Sequence, residues 1–235
     1  MIKVSGLSKC FSQQKVLEGI DFEAQDGRRV FILGKSGSGK TVFLKCILGL
    51  LVPDTGKIFI DEVDITRLMV KPRFKRKLTR IRQKIGYVFQ GSALLDSLSV
   101  ANNIALALDS KKLPWEEQNR IIDEKLDLVG LDGDVRRKYP AQLSGGMKKL
   151  VAIARAIAAE PHYIFYDEPT TGLDPAMIAR ITKLIIELSE KLEVTSLIVT
   201  HDMGLARRAG QDIYFLKNYT LSRPRRITRL EELYE

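Results

Sequence analysis

The chain has 235 residues, 45% of them hydrophobic and 29% charged, with a formal net charge of +9. This balance suits a globular protein with a sizeable core and excludes a disordered, collagenous or disulfide-stapled chain. No apolar run approaches the ~18 residues that a membrane-spanning helix needs, and the first residues lack the apolar stretch of a signal peptide. If the protein works at a membrane, it must dock on something that spans one. The two cysteines, Cys10 and Cys46, have no metal-ligand spacing and point to a reducing, cytosolic compartment.

In chain order, Ile2–Val4 and Val16–Phe22 read as strands of an antiparallel N-terminal piece. Val30–Leu33 is a short apolar strand. Directly after it stands Gly34-Lys35-Ser36-Gly37-Ser38-Gly39-Lys40-Thr41, and a helix follows over Thr41–Leu50. A strand, a glycine-rich turn ending in Gly-Lys-Thr and a helix let backbone N–H groups wrap a polyphosphate. Lys40 brings a point charge to the outer phosphates, Thr41 a hydroxyl to Mg²⁺, and the helix aims its positive end at the same place. Cys46 falls inside this helix, in a buried role.

Pro53-Asp54-Thr55-Gly56 is a turn before the strand Lys57–Ile60. From Arg67 to Lys84 there are nine basic residues and no acidic one, in a helical segment interrupted at Pro72. A solvated helix face and an anionic membrane surface both fit this run. Nucleic acid fits poorly, because Phe74 is almost the only aromatic residue interleaved. A second basic cluster is Arg223, Arg225, Arg226 and Arg229. Ile85–Phe89 is another short buried strand.

Residues 91–160 read mostly as helix, with Val100–Leu108, Trp115–Val129 and Gly145–Ala159 as the segments. The last opens on Leu143-Ser144-Gly145-Gly146-Met147. Ser144 is an N-cap type, and two glycines in a first turn cost roughly 1 kcal/mol each. A bare helix N-terminus of this kind suits an anion, and a phosphate is the economical ligand. Met147, Leu150, Val151, Ala154, Ile157 and Ala158 give that helix an apolar stripe.

The apolar strand Tyr163–Tyr166 ends in Asp167-Glu168-Pro169. Two adjacent carboxylates at a strand end, downstream of a phosphate loop, suit a Mg²⁺ carboxylate and a general base. His162 and Tyr163 at the other end of the strand read as surface or packing residues. A helix runs from Pro175 to about Lys191, with Asp174 as N-cap and Ile178, Ile181, Ile185 and Leu188 facing the core. Ser196–Thr200 is a strand leading to His201, and Ile213–Leu216 closes the sheet.

The phosphate loop, Leu-Ser-Gly-Gly, Asp-Glu-Pro and a strand ending in His together resemble the nucleotide-binding subunit of an ABC transporter, over almost the whole chain. The resemblance implies an α/β fold: a P-loop NTPase core with an N-terminal antiparallel β piece and an inserted α-helical subdomain near 91–160. One domain would cover 1–235, with a tail from 221. It implies ATP and Mg²⁺ as ligands, bound by Gly34, Lys35, Ser36, Gly37, Ser38, Gly39, Lys40 and Thr41, with Phe11 stacked on adenine. Asp167 matches the Mg²⁺ carboxylate, Glu168 the catalytic base, and His201 the switch histidine that contacts the γ-phosphate. Gln90 matches the glutamine that reaches Mg²⁺ and water and couples to the membrane partner. Ser144, Gly145 and Gly146 match the signature that binds a nucleotide held by the other subunit, and Asp174 the loop that crosses the dimer interface. One phosphate loop and one signature per chain make a head-to-tail homodimer the minimal competent unit.

Met147 stands where most of the family carries Gln, and Phe11 replaces the commoner Tyr. Leu-Ser-Gly-Gly-Met with Lys148-Lys149, and Phe89-Gln90-Gly91-Ser92-Ala93-Leu94-Leu95-Asp96-Ser97-Leu98-Ser99-Val100, resemble the ATPases of Mla/MCE-type phospholipid transport systems. That narrower resemblance implies an integral membrane permease, an MCE-domain protein and a small STAS-domain subunit as partners. It places the chain in the cytoplasm, peripheral on the inner membrane, with no nucleic acid partner. It leaves open an ATPase serving another solute and a compact non-transport ATPase such as a division regulator. Segment 221–235 is expected to reach the opposite subunit, and 67–84 to meet anionic lipid headgroups.

Overall fold

The computed structural model describes residues 1–223. The twelve residues 224–235, and with them most of the expected C-terminal tail, lie outside the described part.

Two sheets organise the chain. The first is antiparallel, with β1 (Ile2–Phe11), β2 (Gln14–Ala24), β4 (Thr55–Ile60) and β5 (Val63–Asp64) in the order β2-β1-β4-β5. The second holds β3 (Arg29–Leu33), β6 (Ile85–Val88), β7 (Tyr163–Asp167), β8 (Thr195–Thr200), β9 (Asp212–Lys217) and β10 (Thr220–Ser222), in the order β10-β9-β3-β8-β7-β6. All its pairings are parallel except that of β10 with β9.

The parallel strands read as unbroken apolar runs because both faces of their sheet are covered. Phe31, Leu33, Ile164, Tyr166 and Ile198 face one core, shared with α4 (Val100–Ala105), α5 (Trp115–Leu128), α6 (Gly145–Ala158), α7 (Pro175–Lys191) and α8 (Met203–Ala209). Val30, Ile32, Phe165, Leu197 and Val199 alternate to the other face. There they meet α1 (Lys40–Ile47), α2 (Ile65–Val70), α3 (Lys75–Arg82) and the antiparallel sheet.

Three local features differ from the sequence expectation. The first hairpin is far longer than Ile2–Val4 and Val16–Phe22, running out to a Phe11–Gln14 pair around Ser12, whose φ is 54°. Its tip, residues 10–15, is exposed, so ladder hydrogen bonds hold it and no burial pattern marks it. Ile213–Leu216 does not close the sheet. Asn218 and Tyr219 both take positive φ, at 50° and 67°, and turn the chain back so that β10 adds an antiparallel edge. Helix α8, capped by Asp202 onto the Leu205 N–H at 2.9 Å, is a further addition.

The basic segment splits at Pro72, which has no N–H to donate and pushes Lys71 before it into extended backbone at φ −114°, into α2, a single 3₁₀ turn over Pro72–Phe74, and α3. Leu78 and Ile81 of α3 are buried. Arg82 donates to the carbonyls of Leu48 and Gly49 at the end of α1, and Lys84 pairs with Asp61 at 2.6 Å.

The helical elements α4 to α6 sit between β6 and β7 in sequence. Buried Asn103 of α4 fixes the segment entering them. Its amide accepts from the Leu95 N–H at 2.8 Å and donates to the carbonyls of Leu95, Leu98 and Ser99 at 3.1, 3.0 and 3.1 Å. Four neighbouring strands, β3, β8, β7 and β6, thus end at one edge of the sheet. Gly34, His201, Asp167-Glu168 and Gln90 sit at or just beyond those four ends, where α/β sheets hold their ligands.

Candidate nucleotide site

The phosphate loop turns on glycines that no other residue could replace without cost. A Cβ on Gly34 would fall 2.5 Å from Ser38 Oγ and 2.8 Å from the Leu216 carbonyl. Gly39 caps α1 at φ 102°, a left-handed position, and brings no side-chain cap to the helix. The first-turn N–H groups of α1 therefore point into the loop. Ser38 Oγ is buried there without a hydrogen-bond partner. An orphaned hydroxyl beside a helix N-terminus fits a polyphosphate.

Lys40 is 5% exposed. Its ammonium donates to the carbonyls of Gly34 at 2.7 Å and Lys35 at 3.1 Å, and lies 3.1 Å from Glu168 Oε1. The neighbouring Thr41 hydroxyl donates to Asp167 Oδ1 at 3.0 Å, and the Tyr87 hydroxyl to Asp167 Oδ2 at 3.0 Å. Burial, then the Asp167 charge, pushes the Tyr87 phenol far above its ordinary range, so it stays protonated and donates to Asp167. A hydroxyl and a buried carboxylate in contact form a hard-oxygen pair that fits Mg²⁺, which takes one or two protein oxygens and completes its shell with phosphate and water. Thr41 and Asp167 are the residues that would hold it.

Glu168 stands in left-handed backbone, φ 48°, where its N–H donates to the Val199 carbonyl at 2.9 Å. Oε2 receives His201 Nδ1 at 2.8 Å, the His201 N–H at 3.3 Å, and the hydroxyls of Thr200 and Thr171 at 3.3 Å each. The carboxylate oxygen accepts, so Nδ1 is the donor of this contact. Glu168 is thereby held between Lys40 and His201.

Gln90 leaves the end of β6 with its side chain exposed, and its main chain is tied inward. The buried Lys149 ammonium donates to the carbonyls of Gln90, of Phe89 at 3.3 Å and of Glu168 at 3.3 Å. Burial pulls the Lys149 pKa down to about 8, against the opposing pull of Asp167 and Glu168.

The structure thus gathers Gly34 to Thr41, the Gln90 main chain, Asp167, Glu168 and His201. It leaves three expected groups apart, with no hydrogen bond or ion pair to that gathering among the described residues. Phe11 is 44% exposed at the hairpin tip, its ring 5.6 Å from the Lys9 ammonium, while Val16 of the same hairpin lies against Gly39. Asp174 caps α7 through the Met177 N–H at 2.9 Å. Ser144 caps α6 through the Met147 N–H at 3.2 Å, and Gly145 faces open space. The two signature glycines differ in role. A Cβ on buried Gly146 would lie 2.5 Å from Met177 Cε, so Gly146 lets α6 and α7 approach, and Gly145 alone keeps the helix N-terminus clear.

Tyr87, Lys149, Thr171 and Thr200 were not expected at the site. Lys149 carried a usable signal: it falls three residues after Gly146, on the apolar face of its helix.

The ABC transporter family profile matches residues 17–171. The chain belongs to the ABC transporter family, as an ATP-binding domain. It is 38% identical over 229 residues to the "Probable ribonucleotide transport ATP-binding protein mkl" of Mycobacterium leprae, covering 96% of this chain and 64% of that protein. It is 43% identical over 189 residues to the methionine import ATP-binding protein MetN of Carboxydothermus hydrogenoformans, covering 80% of this chain and 54% of that protein. The chain therefore spans less than two thirds of the length of these curated relatives. Among solved structures, the dimeric bacterial ABC transporter cassette MJ0796 superposes with a TM-score of 0.86 at 34% identity, covering 95% of this chain and 97% of that one. A post-hydrolysis state of MJ0796 bound to ADP and Pi also gives 0.86, at 33% identity, with 97% and 99% covered.

Proposed function

We propose that this ABC domain binds ATP with Mg²⁺ and hydrolyses it as the homodimeric motor of a transporter. The observation that carries this reading is the Glu168 carboxylate, fixed between Lys40 and His201 and beside the Thr41–Asp167 pair.

The loop N–H groups, Ser38 and Lys40 bind the β- and γ-phosphates and screen their charge. Mg²⁺, held by Thr41 and Asp167, would supply Lewis-acid polarisation of the γ-phosphoryl group. Glu168 takes a proton from water as its oxygen attacks the γ-phosphorus, and the bond to the ADP oxygen breaks. His201, held by Glu168 through Nδ1, contacts the γ-phosphate only with a second proton on Nε2, which then donates. Gln90 would reach the same water and Mg²⁺ through its side chain. Phe11 stacks on the adenine.

Ser144, Gly145 and Asp174 are exposed and make no hydrogen bond to these groups among the described residues, which supports a head-to-tail dimer in which each signature completes the partner's site. MJ0796 forms a dimer in its solved structure. The Glu168→Gln variant tests both parts. It should bind ATP, lose turnover and sediment as a dimer with ATP and Mg²⁺. Undiminished hydrolysis would remove Glu168 as the base, and a monomer at saturating ATP would remove the dimer.

The substrate reading is phospholipid, moved through an integral membrane permease with an MCE-domain protein and a STAS-domain subunit. Its support is Met147 with Lys148-Lys149 after Leu-Ser-Gly-Gly, and the segment Phe89–Val100. Relatives named for ribonucleotide and methionine transport keep another solute as the second reading, and a non-transport division regulator is a third. No helix among the described residues is long and apolar enough to cross a membrane. The chain would therefore sit on the cytoplasmic face of the inner membrane by docking on the permease. Purification of the Glu168→Gln variant from solubilised membranes separates these readings. Co-purification of a permease with an MCE-domain protein supports lipid transport; a different permease, or none, removes it.

A further inference from the structure

Lys149 is a charge that the hydrolytic scheme does not use. It is 3% exposed and makes no ion pair among the described residues. An apolar side chain would fill a helix face at less cost than a buried ammonium held by three carbonyl dipoles. The three carbonyls it holds are not arbitrary. Phe89 and Gln90 begin the loop after β6, and Glu168 carries the carboxylate that faces Lys40 and His201. The Glu168 peptide is gripped on both sides, its N–H by the Val199 carbonyl at 2.9 Å and its carbonyl by Lys149 at 3.3 Å. Left-handed backbone at a non-glycine residue persists only where surrounding bonds over-determine it; Lys149 supplies one of three such bonds, the third being from the Thr171 N–H to the Glu168 carbonyl at 3.4 Å. The same side chain belongs to α6, one turn below the Ser144–Gly145 terminus.

We propose that Lys149 is a positioning residue that ties the signature helix to the Gln90 loop and to the main chain of Glu168. A nucleotide engaging Ser144 and Gly145 then biases, through one ammonium, the groups acting on the nucleotide in this chain's own phosphate loop. The local half of this inference needs only the geometry above. The coupling half rests on the dimer proposed for the chain.

The test is steady-state ATP hydrolysis by the full chain with Lys149→Met and Lys149→Arg, alongside equilibrium binding of a fluorescent ATP analogue. Methionine keeps the stem and removes all three donors; arginine keeps charge and donors. Lys149→Met should lower kcat by about tenfold or more, the range for loss of a supporting hydrogen bond, with nucleotide affinity within about threefold. Lys149→Arg should recover much of kcat. Equal losses in both variants, tracking a fall in Tm, or a wild-type kcat in Lys149→Met, would overturn the positioning role. For the coupling half, Lys149→Met combined with Glu168→Gln should need more ATP to dimerise in sedimentation than Glu168→Gln alone. An unchanged ATP requirement overturns coupling. Failure of Glu168→Gln itself to dimerise overturns the dimer reading and the coupling with it, and the kcat comparison alone then decides the local half.

Discussion

The two ends of β7 carry nearly the same chemistry and do different things with it. At its start, the Tyr163 hydroxyl meets Asp61 and Asp26, and Asp61 pairs with Lys84. At its end, the Tyr87 hydroxyl meets Asp167, and Glu168 pairs with Lys40. Tyrosine, carboxylates and lysine recur in both. The first group is open to water, with Asp61 and Lys84 side chains 32% and 41% exposed, against 9% and 5% for Glu168 and Lys40. At the start, carboxylate and cation pair in solvent at the rim. At the end, four strand termini converge and aim their groups at one buried point, beside a helix N-terminus and an orphaned hydroxyl. Convergence and burial separate a site from a salt bridge.

Removing the charge should break the two ends unequally. Glu168→Gln should cost about 100-fold or more in kcat, while Asp61→Asn leaves kcat unchanged; comparable losses in a coupled phosphate-release assay would erase the distinction. Lys40→Ala should weaken ATP binding by on the order of 100-fold, by loss of charge-assisted bonds in a buried loop, as equilibrium binding would read. Tyr87→Phe leaves Asp167 with Thr41 as its remaining hydroxyl donor and should raise the Mg²⁺ concentration for half-maximal hydrolysis by about tenfold. An unchanged Mg²⁺ dependence would make Tyr87 a packing residue.

The smallest effect belongs to the rim. Burial acts to raise the Asp61 carboxyl, but hydrogen bonds from Lys84 and Tyr163 outweigh it and hold the group below its ordinary value. Its stabilisation is therefore present above the unfolded carboxylate range near pH ~4 and lost as pH falls through the lowered value. Asp61→Asn should cost roughly 1 kcal/mol at neutral pH, and its Tm should fall less steeply than that of the parent on acidification. Parallel Tm curves would show that Asp61 contributes nothing through its charge.

The gathering at the end of β7 was legible because its residues stand in contiguous motifs: Gly34–Thr41 and Asp167-Glu168 fix type and spacing in a few residues. The parallel core was legible because burial on both faces leaves continuous apolar runs. What escaped depends on contacts made in space. Tyr87 and Thr200 reach the carboxylates from separate strands, and nothing in their own neighbourhoods marks them. The long first hairpin and β10 escaped because ladder bonds and a glycine-free turn at Asn218-Tyr219 build them, without an alternating apolar pattern. The signature glycines look alike in sequence, and only the position of Met177 separates the packing glycine from the open one.

Asn103 gives the segment beyond Gln90 its mechanical character. One amide commits all its bonding capacity to the backbone of residues 95–99 and welds that segment to α4. A push on Leu95 or Ser97 would therefore be passed to α4 through that one amide.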